Sequence, residues 1–236
     1  MHTTFHEPFV LFGHLAAIAD LELVTGIIVL PQRQTALVAK QAAEVDVLTN
    51  GRFRLGVAAG WNAIECDALG KDFTTRGRRL DEQIELLRRL WIDQSVTFEG
   101  VDEQVTGAGI SPPPIQRPIP IWLGATSPAA YRRIGRLGDG WFPRVLPGPQ
   151  LDKARAIIRS SATASGRDPD RILMECQLTW AGDADEVAAT AEAWREAGAS
   201  HAAITTMGAG LASVDDHIEA IATAAASLGL VPHQTR

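Results

Sequence analysis

Apolar residues along this chain alternate between short unbroken runs and longer stretches with a helical repeat, a pattern that predicts strands each followed by a helix. Phe9 to Ala19 is apolar and Ala-rich, suited to a buried helix. Leu23–Leu30 reads as a strand buried on both faces and ended by Pro31. Thr35 can cap the next helix, in which Val38, Ala42, Val45 and Leu48 recur at helical spacing. Asn50-Gly51 stops that helix, since both residues tolerate positive φ. Phe53 to Ala59 is a second strand, and Gly60-Trp61-Asn62 opens a loop. Arg76–Trp91 carries the clearest stripe (Leu80, Ile84, Leu87, Trp91), with Glu85 and Arg89 spaced to pair. Val96–Gly100 looks like part of a hairpin, and Pro112 to Pro120 like an extended linker.

Four further strands are expected at Ile119–Leu123, Gly140–Pro143, Ile172–Trp180 and Ala202–Thr206. Helices at Ser127–Leu137, Leu151–Ala164 and Asp183–Ala197 separate them. Asp183-x-x-Glu186 resembles a capping box, with Val187, Ala191 and Trp194 on one face of that helix. A last helix, Ser213–Leu228, carries Ile218, Ile221, Ala225 and Leu228. Six strand-helix units indicate a parallel α/β protein. Periodicity alone leaves a barrel and a doubly wound open sheet both open.

Composition narrows the function more than the fold. The 236 residues are one domain's worth of chain, 46% apolar and 21% charged, enough for a sizeable core. The net charge of −6 argues against nucleic-acid or anionic-membrane binding, which needs a basic face. Two cysteines, Cys66 and Cys176, suit a reduced cytoplasmic protein. The N-terminus lacks the pattern of a secretory signal, and no apolar run reaches a membrane span. The histidines show no zinc-like spacing with cysteines or carboxylates, so no metal site is expected. Gly-x-Ser-x-Gly and Walker-type loops are absent.

Three stretches carry a family resemblance. The first holds Thr25-Gly26-Ile27-Ile28-Val29-Leu30-Pro31, Ala39-Lys40-Gln41, Gly51-Arg52-Phe53 and Gly60-Trp61-Asn62. The second runs from Gly70-x-Asp72-Phe73 through Arg76-Gly77-Arg78 to Leu90-Trp91. The third holds Ile121-Trp122-Leu123-Gly124 and Gly138-Asp139-Gly140-Trp141. In order and spacing these resemble the luciferase-like monooxygenase superfamily, and within it the branch that uses the deazaflavin coenzyme F420.

The resemblance implies a TIM-like (β/α)8 barrel over residues 1–236, with strands three to eight present and the first two lacking a counterpart. It implies an F420-dependent oxidoreductase acting on a small organic molecule, with FMN as the alternative cofactor. A non-catalytic, shortened binding or partner subunit is the alternative of a different class. Open strand edges would favour a homo-oligomer. The family's Asp-His pair near the second strand has no convincing equivalent; His2 and His6 fall too late in the pattern. No catalytic residue is therefore named.

The candidate cofactor residues are Gly26, Ile27, Gly60, Asn62, Gly124, Ala125, Thr126 and Ser127. A strand glycine such as Gly26 marks a bulge or close approach, with barrel packing as the plain alternative. By resemblance Gly26-Ile27 is the bulge, often a non-prolyl cis peptide, that supports the ring. Gly124–Ser127 lies between a strand and a helix start, where backbone N–H groups and two hydroxyls make a phosphate nest or simply a cap. By resemblance it is the cofactor's phosphate turn. Gly60 and Asn62 top the second retained strand, where barrel sites lie. Trp61 and Trp141 fit either a pocket or packing, and Arg33 or Lys40 an anionic tail or ordinary exposure.

Overall fold

The computed structural model describes residues 6–230. Helix α1 (Pro8–Ile18) precedes two short strands, β1 (Leu23–Val24) and β2 (Ile28–Val29). Then come α2 (Thr35–Leu48), β3 (Phe53–Ala58), α3 (Ala63–Ala68), α4 (Arg76–Ile92) and the hairpin β4 (Val96–Glu99) and β5 (Gln104–Ala108). The second half alternates β6 (Ile121–Ala125), α5 (Pro128–Leu137), β7 (Gly140–Pro143), α6 (Pro149–Ala164), β8 (Leu173–Thr179), α7 (Ala184–Glu196), β9 (His201–Thr205) and α8 (Val214–Ser227).

Both β1 and β2 pair with β3, and the sheet continues β3-β6-β7-β8-β9, every pairing parallel. Five of the six expected strands form, and the first, expected over Leu23–Leu30, is broken at Thr25–Ile27 into β1 and β2. The sheet curls: Arg54 of β3 reaches Glu175 of β8 at 2.8 Å, although two strands lie between them. Among the described residues it does not close, since β9 pairs only with β8 and β1 and β2 only with β3. Strand residues that face outward, among them Leu55, Val57, Ile121, Leu123 and Cys176, are buried with Leu80, Ile84, Leu87, Tyr131 and Ile158 of the helices in one core. Burying apolar side chains of this size contributes about 2 kcal/mol each, which is why the outer face dominates the packing.

Several sequence expectations change in the structure. The α1 helix forms, but of its side chains only Phe9 is buried, while Val10 and Ile18 are exposed. It packs on one side alone, where Phe9 and Phe12 meet Phe53 edge-on at 6.5 and 6.2 Å. Thr35 is the first residue of α2 rather than its cap, and its hydroxyl accepts from Gln83 Nε2 at 2.9 Å. Arg89 pairs with Asp93 at 3.6 Å, and not with Glu85. Asp183 caps α7 by accepting from Asp185 and Glu186, but the reciprocal capping box belongs to α8, between Ser213 and Asp216. The buried residues of α8 are Ala220 and Ala224; the expected stripe leaves Ile218 and Ile221 exposed because that flank has no neighbouring layer among the described residues.

The linker before β6 is fastened rather than free. Buried Asp46 accepts from the backbone N–H groups of Ile115 and Gln116 and from Gln116 Nε2. No helix among the described residues is long and apolar enough to cross a membrane.

Candidate functional site

The carboxyl ends of parallel strands, where barrel sites lie, gather Val29, Ala58, Ala125, Pro143, Thr179 and Thr205. The approach to that end begins with an irregularity in the first strand. Val24 pairs with Arg54 and Ile28 with Val57, four steps along one strand against three on the other, so one extra residue is accommodated. Thr25 bridges the break: its buried hydroxyl donates to Gly56 O and accepts from Gly56 N, both at 2.8 Å. The side chain thereby satisfies two backbone groups that the interrupted ladder leaves open. Gly26 is exposed, and a Cβ there would meet nothing within 4 Å.

The expected cis bond is a correction: the cis peptides among the described residues are Ser111–Pro112 and Arg117–Pro118, so Gly26–Ile27 is trans. The Thr25 hydroxyl holds the bulge without it.

Trp122 fills the inner floor of the curled sheet. Its register partners on the two neighbouring strands are both glycine, Gly56 on β3 and Gly140 on β7. A Cβ on Gly140 would stand 2.4 Å from the indole, and one on Gly56 only 1.9 Å from Thr25 O. Side chains at either place would expel their neighbours, so both glycines are explained by space. Around the indole, Arg54 lies 4.5 Å over the ring, Phe142 is 5.6 Å away and His201 meets it edge-on at 5.2 Å. Burial, and after it the charge of Arg54, pushes the His201 imidazole below the usual histidine range.

One level nearer the mouth the inner face becomes bare. A Cβ on Gly124 would touch Ala58 Cβ at 3.6 Å and Ile27 Cγ2 at 3.7 Å. Ile27, Ala58 and Gly124 therefore form a continuous low wall above the Trp122 floor, beside Phe142, the register partner of Gly124. On β8, Met174, Cys176 and Leu178 are buried in the core while Gln177 and Thr179 are exposed, sharing the inner face with Glu175. Cys176 is inert there, its thiol pushed up by burial to about 11.

The other expected residues divide. Gly60 has φ +80 and a Cβ there would lie 2.5 Å from Val29 Cγ1, so only glycine fits; its carbonyl accepts from Arg76 Nε at 3.3 Å. Arg76 also donates to Phe73 O and stacks on the Phe73 ring at 3.6 Å, fastening the loop after β3. Asn62 caps α3, accepting from Ile64 N at 3.1 Å. Ser127 caps α5, accepting from Ala130 N at 3.3 Å, and Thr126 beside it is exposed. Ala125 turns its side chain into the core. Trp141 is packing, edge-on to Tyr131 at 6.0 Å, whereas Trp61 is 86% exposed. Arg33 is engaged by Glu7 at 2.8 Å, and Lys40 by Glu44 and Ser111 O. His2 lies outside the described residues.

Asp139, one of the motif residues, accepts from Ile121 N and pairs with Arg88 and Arg167 at the opposite end of the strands. Part of the resemblance is thus carried by barrel-foot architecture. Sequence reasoning missed the Trp122 floor and the Thr25–Gly56 link. Strand glycines at 56 and 140 were the available signal.

The model of the luciferase-like monooxygenase family matches residues 1–233. An F420-dependent glucose-6-phosphate dehydrogenase from Mycolicibacterium fortuitum is 31% identical over 195 residues, 77% of this chain and 57% of that protein. An FMNH(2)-dependent dimethylsulfone monooxygenase from Pseudomonas fluorescens is 36% identical over 143 residues, 58% of this chain and 39% of that protein. The chain spans about half the length of the curated relatives it matches. Among solved structures, the coenzyme F420-dependent tetrahydromethanopterin reductase from Methanopyrus kandleri superposes with a TM-score of 0.79 at 16% identity, covering 98% of this chain and 88% of that one. That likeness is one of fold.

Proposed function

The chain belongs to the luciferase-like monooxygenase family, and we propose that it is an oxidoreductase moving a hydride between the deazaflavin coenzyme F420 and a small organic substrate. The observation that carries this reading is the low wall of Ile27, Ala58 and Gly124 above the Trp122 floor. A flat ring system needs an apolar surface with room above it, and Gly124 and Ala58 leave that room beside Ile27. When bound, the deazaflavin supplies the carbon that gives or takes the hydride. Gly26 and Ile27 would support one ring face, Gly60 and Asn62 would border it, and the N–H groups of Gly124–Ser127 at the start of α5 would receive its phosphate. Ala125 would contribute through its backbone alone, since its side chain is buried.

The relatives named for F420 support this cofactor, and the relative named for FMNH(2) supports the alternative. A homo-oligomer belongs to the same reading, because the sheet is open at both ends among the described residues and α1 and α8 expose Val10, Ile18, Ile218 and Ile221.

The test is reduction of oxidised F420 by a panel of alcohols, followed by bleaching of the cofactor's absorbance. Bleaching that needs both protein and one alcohol supports the reading. Saturable cofactor binding with no hydride exchange in either direction, across alcohols and ketones, turns it toward the non-catalytic alternative.

A further inference from the structure

A cavity of about 200 Å³ opens in the outer layer at the amino ends of β7 and β8, the opposite end of the sheet from the wall of Ile27, Ala58 and Gly124. Its floor is formed by Trp141, Ile158 and Met174, all buried in the core. Trp141 and Met174 are register partners on neighbouring strands, so the sheet holds the floor in place. One side is α6, which carries Arg155, Ile158 and Arg159; the other is the turn at Gly198 that follows α7. Gly198 has φ +87, and a Cβ there would stand 3.4 Å from Arg155 Nη2, so a bare turn faces that guanidinium.

The two arginines differ in what they already hold. Arg159 pairs with Asp170 at 2.6 Å on the exposed rim. Arg155 is half-buried and its Nη1 donates to Ala197 O at 2.8 Å, but among the described residues no carboxylate pairs with it. A cation partly withdrawn from water gains from an anion beside it, and the guanidinium fork matches a carboxylate best. The guest is small, because sites for drug-sized molecules run to about 300–1,000 Å³. The Asp170 carboxylate at the rim disfavours a dianion, while the indole of Trp141 and the thioether of Met174 offer contact to a hydrocarbon body.

We infer that this cavity binds a small monocarboxylate with a single ring or short hydrocarbon body, its carboxylate on Arg155 and its body over Trp141 and Met174. The site stands apart from the proposed cofactor wall and does not depend on it.

The test is calorimetric titration of the whole chain with benzoate, and with inorganic phosphate as the second probe. Saturable benzoate binding, weakened at least about tenfold in Arg155→Met and partly kept in Arg155→Lys, supports the inference; the loss is on the scale of one charge-assisted hydrogen bond. Thermal unfolding shows whether Arg155→Met stays folded, since that substitution also removes the bond to Ala197 O. Asp170→Asn supplies a gain that misfolding cannot imitate. It removes the rim carboxylate and releases Arg159, and benzoate then binds about threefold tighter, the scale of one exposed charge pair. Absence of saturable benzoate binding by the folded wild type overturns the inference. Equal affinity in wild type and Arg155→Met also overturns it, because the benzoate then sits elsewhere. Phosphate binding at least as tightly as benzoate overturns the ligand class, and affinity that is unchanged or weaker in Asp170→Asn overturns the placement of the carboxylate between the two arginines.

Discussion

Ile27 and Gly124 meet across β3: a Cβ placed on Gly124 would stand 3.7 Å from Ile27 Cγ2, with Ala58 Cβ at 3.6 Å. The bulge in the first strand and the glycine of β6, far apart in sequence, thus build one surface. Their spacing is ordinary van der Waals contact, so alanine fits at 124 and anything larger enters the space above the wall.

Gly124→Val is expected to weaken cofactor binding by at least about tenfold, equivalent to about 1.4 kcal/mol, with Gly124→Ala much milder. Parallel thermal unfolding of the two variants and fluorescence titration check this. Equal affinity in wild type and Gly124→Val contradicts the placement.

Thr25→Val keeps the shape and removes the hydroxyl that bonds both Gly56 N and Gly56 O. Two backbone groups beside a buried side chain are left unpaired, at a cost of about 2 kcal/mol. Urea unfolding measures it, and Thr25→Ser should recover most of the loss.

Gly140→Ala drives a methyl group to within 2.4 Å of the Trp122 indole. Overpacking of this kind costs about 1–3 kcal/mol. A changed near-UV tryptophan spectrum should accompany the lower unfolding midpoint. An unaltered spectrum and midpoint would mean that Trp122 is not the floor.

His201 predicts a pH dependence. Its folded-state pKa is lowered by burial and then by Arg54, with Glu175 and Glu22 acting the other way. The unfolded chain therefore binds this proton more tightly than the folded one. The contribution to stability is present above the unfolded histidine pKa, about 6.5, and is lost as pH falls through it toward the folded value. Urea unfolding from about pH 8 down to about pH 5 should show the decline, and His201→Gln should flatten it.

Much of the framework was legible because strand and helix rhythms, Asn50-Gly51 and the α4 stripe each state a local preference that packing then keeps. Legibility failed where tertiary surroundings decide. The stripe of Ile218 and Ile221 is helical in spacing, yet burial of α8 goes to Ala220 and Ala224 because neighbours exist only on that side among the described residues. Thr35 has a capping side chain, but Gln83 takes it. For the candidate site, Gly26 announced a break in the strand, while the Thr25 hydroxyl that organises it carries no sequence signature. The wall itself joins the break between β1 and β2 to residues of β3 and β6, and only the folded sheet brings Ile27 to Gly124.

The most direct test of the account is titration of the purified chain with F420 and with FMN, each followed by its own fluorescence, in wild type and Gly124→Val. Saturable F420 binding, tighter than FMN binding and weakened by the valine, is the expected result. Binding of neither cofactor by a chain shown to be folded would contradict it.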